Sequence, residues 1–167
     1  MLRNPRLSFT LLSKKIAVIG IGNTLRRDDG IGVTVLEFLL KFYKRQTIDY
    51  LNFASVSFDL VHRLKDYDTV LLIDGIAAGL APAEVRIFEL GQANYRLEDK
   101  LSSTHELDLK TLFELSKAMD LKTKIFIAGI QVEDVTYGEN LSPVLEHKKT
   151  EIVKQINKFI DSLCFLR

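Results

Sequence analysis

Three short runs of this chain are apolar almost throughout: KIAVIG (Lys15–Gly20), TVLLID (Thr69–Asp74) and KIFIAGI (Lys124–Ile130). A strand without a polar face has to be covered on both sides, as the strands of a parallel sheet are. The intervening segments change period. Ile31, Val35, Leu39 and Tyr43 recur every four residues, one face of a helix. TIDYLNFA (Thr47–Ala54) reads as a second strand, and Leu60, Val61 and Leu64 share one side of a helix over Ser57–Tyr67. EVRIFEL (Glu84–Leu90) follows the turn GLAP and alternates polar with apolar, as a half-exposed antiparallel edge strand would. A helix is expected through HELDLKTLFELSKAM (His105–Met119). The last helix opens at Ser142-Pro143, a cap followed by proline at the first helical position, with a stripe of Ile152, Ile156, Phe159 and Leu163. Strands alternating with helices predict an α/β fold: a mostly parallel sheet of about five strands, one of them antiparallel, with helices on both faces.

The 167 residues suit one domain. Lysine plus arginine is 23 and aspartate plus glutamate is 22, a formal charge of +1 that makes no electrostatic case for nucleic acid or an anionic membrane. A lone cysteine, Cys164, excludes a disulfide framework and a cysteine-rich metal site. No stretch reaches the roughly 18 apolar residues of a membrane span. The opening MLRNPRLSFTLLSKK is too polar, and its apolar patch too short, for a secretory signal. A cytoplasmic protein is the expectation.

In open parallel sheets, ligands sit beyond the carboxyl ends of the strands. Three polar segments are expected there. The first is GIGNTLRRDDGIG (Gly20–Gly32). Gly20 and Gly22 begin a dinucleotide fingerprint, but Leu25 stands where its third glycine belongs. Asp28 and Asp29 would repel a pyrophosphate at the helix mouth. Capping of the helix accounts for Asp28. The second carboxylate and the close glycines are read as room for something approaching from outside. The second segment is LLIDGIAAG, where Asp74 ends the most apolar strand. Its bland role is a turn aspartate bonding nearby amides. The third is SSTHELDL, in which Ser103 and Glu106 have capping-box spacing and His105 falls in the first helical turn. The helix dipole there favours a neutral imidazole, the form a metal needs. His62 and His147 are expected on solvent faces, and Cys164 reads as a packing residue near the end of the last helix. Two carboxylates and an imidazole suit a borderline divalent cation such as nickel or zinc. No nucleophile elbow points to a serine hydrolase.

IGIGNTLRRDDGIG, LLIDG, GLAPAEVRIFEL, STHELDL and AGIQVEDVTYGENLSP, in this order and spacing, resemble the hydrogenase maturation endopeptidases. The resemblance runs over about residues 15 to 160. It implies a three-layer α/β/α sandwich over 15–167, with 1–14 as an extension of no assigned role. It further implies removal of the C-terminal tail of a nickel–iron hydrogenase large-subunit precursor. Asp29, Asp74 and His105 take the catalytic, metal-contacting positions, with Asp28 as the other candidate for the first. That position is often glutamate; here the side chain is one C–C bond, about 1.5 Å, shorter. Nickel would be carried by the substrate, with no organic cofactor. The metal would either act as Lewis acid on the scissile carbonyl or water, or only position the substrate while a carboxylate serves as general base. Two rivals are a nucleotide- or nucleoside-binding α/β enzyme and a non-catalytic nickel-site chaperone.

Overall fold

The computed structural model describes residues 14–91, 102–103 and 109–165. Its strands are β1 (Ile16–Ile21), β2 (Ile48–Phe53), β3 (Thr69–Ala77), β4 (Val85–Glu89), β5 (Ser102–Ser103) and β6 (Lys124–Gln131). Its helices are α1 (Ile31–Phe42), α2 (Phe58–Leu64), α3 (Leu109–Ala118) and α4 (Pro143–Phe165), and a 3-10 turn, Arg27–Gly30, leads into α1. The five longer strands lie in the order β2-β1-β3-β6-β4. The first four are parallel; β4 runs antiparallel to β6 at the edge, as its alternating pattern predicts.

Alternation along β1 divides the core. Ile16 and Val18 face α1 and α4, packing with Val35, Leu39, Ile152 and Ile156. Ala17, Ile19 and Ile21 face α2 and α3, packing with Leu60, Val61, Leu64 and Leu112. The sheet is thus covered on both faces, which is why its inner strands can lack a polar face. The expected cap of the last helix is present: the Ser142 hydroxyl accepts the Leu145 N–H at 3.5 Å. α2 is likewise capped by Ser57, whose hydroxyl accepts from Leu60 N–H at 3.3 Å. No described helix is long and apolar enough to cross a membrane.

One expectation is corrected here. β3 does not stop at Asp74 but continues to Ala77, because β6 pairs with it as far as Ile76↔Gln131. Asp74 is therefore a strand residue, not a turn aspartate. Ser103 belongs to β5, paired with Ile76 of β3. His105 and Glu106, the remainder of the expected capping box, lie outside the described residues, and α3 is described from Leu109.

α1 enters the fold through a very close approach. A Cβ on Gly32 would stand 2.2 Å from the Ile73 carbonyl oxygen and 2.3 Å from that of Ile21. Only glycine lets the first turn of α1 rest on the ends of β1 and β3. Gly32→Ala is expected to cost about 3 kcal/mol by overpacking, read as a lower urea midpoint with an unchanged slope.

Candidate active site

The ladder between β1 and β3 ends at Gly20↔Ile73, and β5 joins β3 only at Ile76. Asp74 and Gly75 occupy the gap between these partners. The same place is where the connections diverge: β1 leads through α1 to β2 on one side, and β3 leads to β6 on the other. Such a reversal opens a crevice at the carboxyl ends of the strands. Asp74 lies at that crevice, only 2% exposed. Asp29 lies in the 3-10 turn after β1, which packs against β3, and is 1% exposed. Its Oδ2 accepts the Asn23 N–H at 3.2 Å. The segments carrying these two predicted residues thus meet at one crevice, while His105 falls outside the described residues.

The neighbouring glycines do not leave room for a visitor, contrary to expectation. A Cβ on Gly22 (φ 145°) would stand 2.1 Å from the Asp29 carbonyl oxygen, and one on Gly20 would stand 2.6 Å from that of Gly32. The protein's own backbone fills the space.

Asp28 does not cap the helix. The N-cap of α1 is Gly30, with no side-chain bond. The fully buried Asp28 carboxylate instead reaches the loop that joins β6 to α4. Its Oδ2 accepts the N–H groups of Glu133 and Asp134, each at 2.9 Å, and its Oδ1 accepts that of Ser142 at 2.7 Å. These three donors satisfy the Asp28 carboxylate, which is committed to backbone. The same loops share backbone bonds, Asp28 N–H to the Asp134 carbonyl at 3.1 Å and Arg27 N–H to that of Gly138 at 2.9 Å. Arg27 also pairs with Asp134 at 3.3 Å. Hydrogen bonds from Thr136 hold Asp134 below the usual carboxylate range, with Arg27 adding to the effect. That stabilisation is present above the ordinary carboxylate pKa and is lost as pH falls through the depressed folded-state value.

Gln131 is a functional-site neighbour that sequence reading missed. Nearly buried at the end of β6, it accepts the Ala78 and Leu80 N–H groups through Oε1 at 2.9 and 3.1 Å, and donates to the Val132 carbonyl at 2.9 Å. It fixes the backbone that leaves β3 just after Asp74. A lone amide ending an apolar strand was the available signal. His62 and His147 are exposed, and Cys164 packs half-buried against the α1/α4 face of the core, as expected.

An α/β sheet with buried carboxylates at its switch point defines a class of crevice enzyme. The sequence model of the hydrogenase maturation protease family, HycI, matches residues 33–159. The chain belongs to this family and is a hydrogenase maturation endopeptidase. A hydrogenase expression/formation protein, HupD, of Thiocapsa roseopersicina is 25% identical over 149 residues, covering 87% of this chain and 67% of its own. The fold is that of the hydrogenase maturating endopeptidase HybD of E. coli, with a TM-score of 0.71 at 22% identity over 85% of this chain and 89% of that one. It is equally that of HybD from Thermococcus kodakarensis, with a TM-score of 0.70 at 22% identity over 87% and 98%.

Asp28→Asn presents an amide N–H₂ to backbone donors and removes the charge from three bonds. The expected cost is about 3 kcal/mol, not the roughly 1 kcal/mol of a lost cap. Denaturant titration gives the magnitude. Faster amide exchange at Glu133, Asp134 and Ser142 identifies the place.

Proposed function

We propose that this endopeptidase removes the C-terminal tail of a nickel-loaded hydrogenase large-subunit precursor. Asp29, Asp74 and His105 complete the coordination of the nickel that the precursor carries. The catalytic domain in this reading spans residues 15–167. The observation that carries it is the burial of Asp29 and Asp74, 1% and 2% exposed, at one switch-point crevice. Burying carboxylates is costly, and a divalent cation relieves that cost. His105 follows Ser103 by two residues, and two residues of chain span at most about 7 Å. The pairing of Ser103 with Ile76 therefore supports its delivery to the same crevice.

Two carboxylates and one imidazole leave coordination positions open, and cysteine sulfurs of the precursor fill them. An empty precursor offers no ligand bonds, so metal content gates recognition. Hydrolysis then adds a water oxygen to the scissile carbonyl carbon, breaks the C–N bond and delivers a proton to the leaving amine. The committed Asp28 and the filled glycine loop weigh against a nucleotide enzyme. A nickel-site chaperone differs in leaving the tail attached.

The test is incubation with nickel-loaded and nickel-starved precursor, followed by intact mass. Loss of the tail from the loaded form alone is expected. Equal cleavage of both would refute metal gating, and a stable complex with an intact tail would favour the chaperone. Asp29→Asn, Asp74→Asn and His105→Ala are each expected to lower processing about 100-fold or more, with circular dichroism unchanged. Normal processing by His105→Ala would remove the histidine from the site.

A further inference from the structure

Two large apolar side chains stand out into solvent beside the crevice: Leu25 is 60% exposed and Tyr137 is 85% exposed. They belong to loops more than a hundred residues apart, yet the loops are stitched together. Gly138 N–H donates to the Leu25 carbonyl at 2.9 Å, and Arg27 N–H returns a bond to the Gly138 carbonyl at 2.9 Å. The Arg26 guanidinium lies over the Tyr137 ring, 5.8 Å from its centroid, while its Nε donates to the Val135 carbonyl at 3.3 Å. Leu25 is also tied to the site itself. Its N–H donates to Asn23 Oδ1 at 3.0 Å, and Asn23 N–H donates to Asp29 Oδ2 at 3.2 Å. A short run of bonds thus joins the exposed lip to a crevice carboxylate.

We propose that Leu25, Arg26 and Tyr137 form a docking lip for the folded body of the precursor, next to the point where its tail emerges. The proposal rests on the reading that this precursor is the substrate. Asp29 and Asp74 are 1% and 2% exposed, and in this proposal only an extended segment of the precursor reaches them. The body from which that segment comes stays outside and meets the rim. Leu25 and Tyr137 point outward, toward the body. Their loops are already ordered by hydrogen bonds, so little freedom is lost when a partner covers them. A rigid aromatic ring with an arginine beside it is a common anchor of protein interfaces. Charge adds a further constraint. Arg27 is paired with Asp134, whereas no carboxylate among the described residues pairs with Arg26. The complementary surface is apolar with an acidic or carbonyl-rich edge.

The test compares the wild-type chain with the double variant Leu25→Ala/Tyr137→Ala on nickel-loaded precursor. An about tenfold higher KM with kcat within about twofold is expected, since contacts made equally before and during reaction act on KM alone. Leu25→Met/Tyr137→Phe is expected to restore KM, which separates docking from misfolding. Phe165→Ala, on a side chain 86% exposed at the end of α4, is expected to change nothing. A photoreactive phenylalanine at position 137 is expected to crosslink to the folded body of the precursor. An unchanged KM in the double variant, a fall in kcat alone, or crosslinks confined to the tail would each overturn the lip while wild-type cleavage still stands. Absence of wild-type cleavage would overturn the substrate reading, and the lip with it.

Discussion

Around Asp28, three backbone N–H groups from Glu133, Asp134 and Ser142 converge on one buried carboxylate. Bonds to an ionised acceptor are stronger than neutral ones, and burial removes the competition from water. The donors lie more than a hundred residues along the chain from the acceptor, so the contact closes a very long loop. It holds the 3-10 turn of Arg27–Gly30 against the segment that runs from β6 into α4. Asp29 is the next residue in that turn, and its backbone position follows from where Asp28 is tied.

The sheet supplies the second half of the arrangement. β1 ends before β3 does, and β5 resumes the pairing only at Ile76. Asp74 lies in the interval, in extended backbone, with Gln131 fixing the chain as it leaves the strand. The close glycines belong to this construction as well. They admit the turn of Gly30–Gly32 to the ends of β1 and β3, where a side chain would meet backbone carbonyls. Two carboxylates, Asp29 and Asp74, are buried in this part of the fold.

Much of this was legible from period alone. The apolar runs of β1, β3 and β6 required a sheet covered on both faces, and the alternation over Glu84–Leu90 marked an antiparallel edge. Ser142-Pro143 announced the start of α4 because capping is decided within one turn. Asp29 and Asp74 were also visible, one in the polar loop that follows an apolar strand and the other at the end of an apolar run. What escaped was non-local. Asp28 read as a helix cap because its partners, Glu133 to Ser142, cannot be inferred from its neighbours. β3 read as ending at Asp74 because its length is set by β6, whose Gly129 pairs with Asp74 from 55 positions along the chain.

The sequence by itself determined the class of fold, the order of its elements and the family, since periodicity, capping and motif spacing are properties of short segments. The tertiary structure alone decided that the Asp28 carboxylate is tied to the backbone of the segment between β6 and α4. It also decided that the glycines are packing contacts rather than a cradle, and that Leu25 and Tyr137 share one rim. The physical reason is the same in each case. Hydrogen bonds and close contacts between distant segments depend on how the strands are ordered in space, and no local pattern encodes that order.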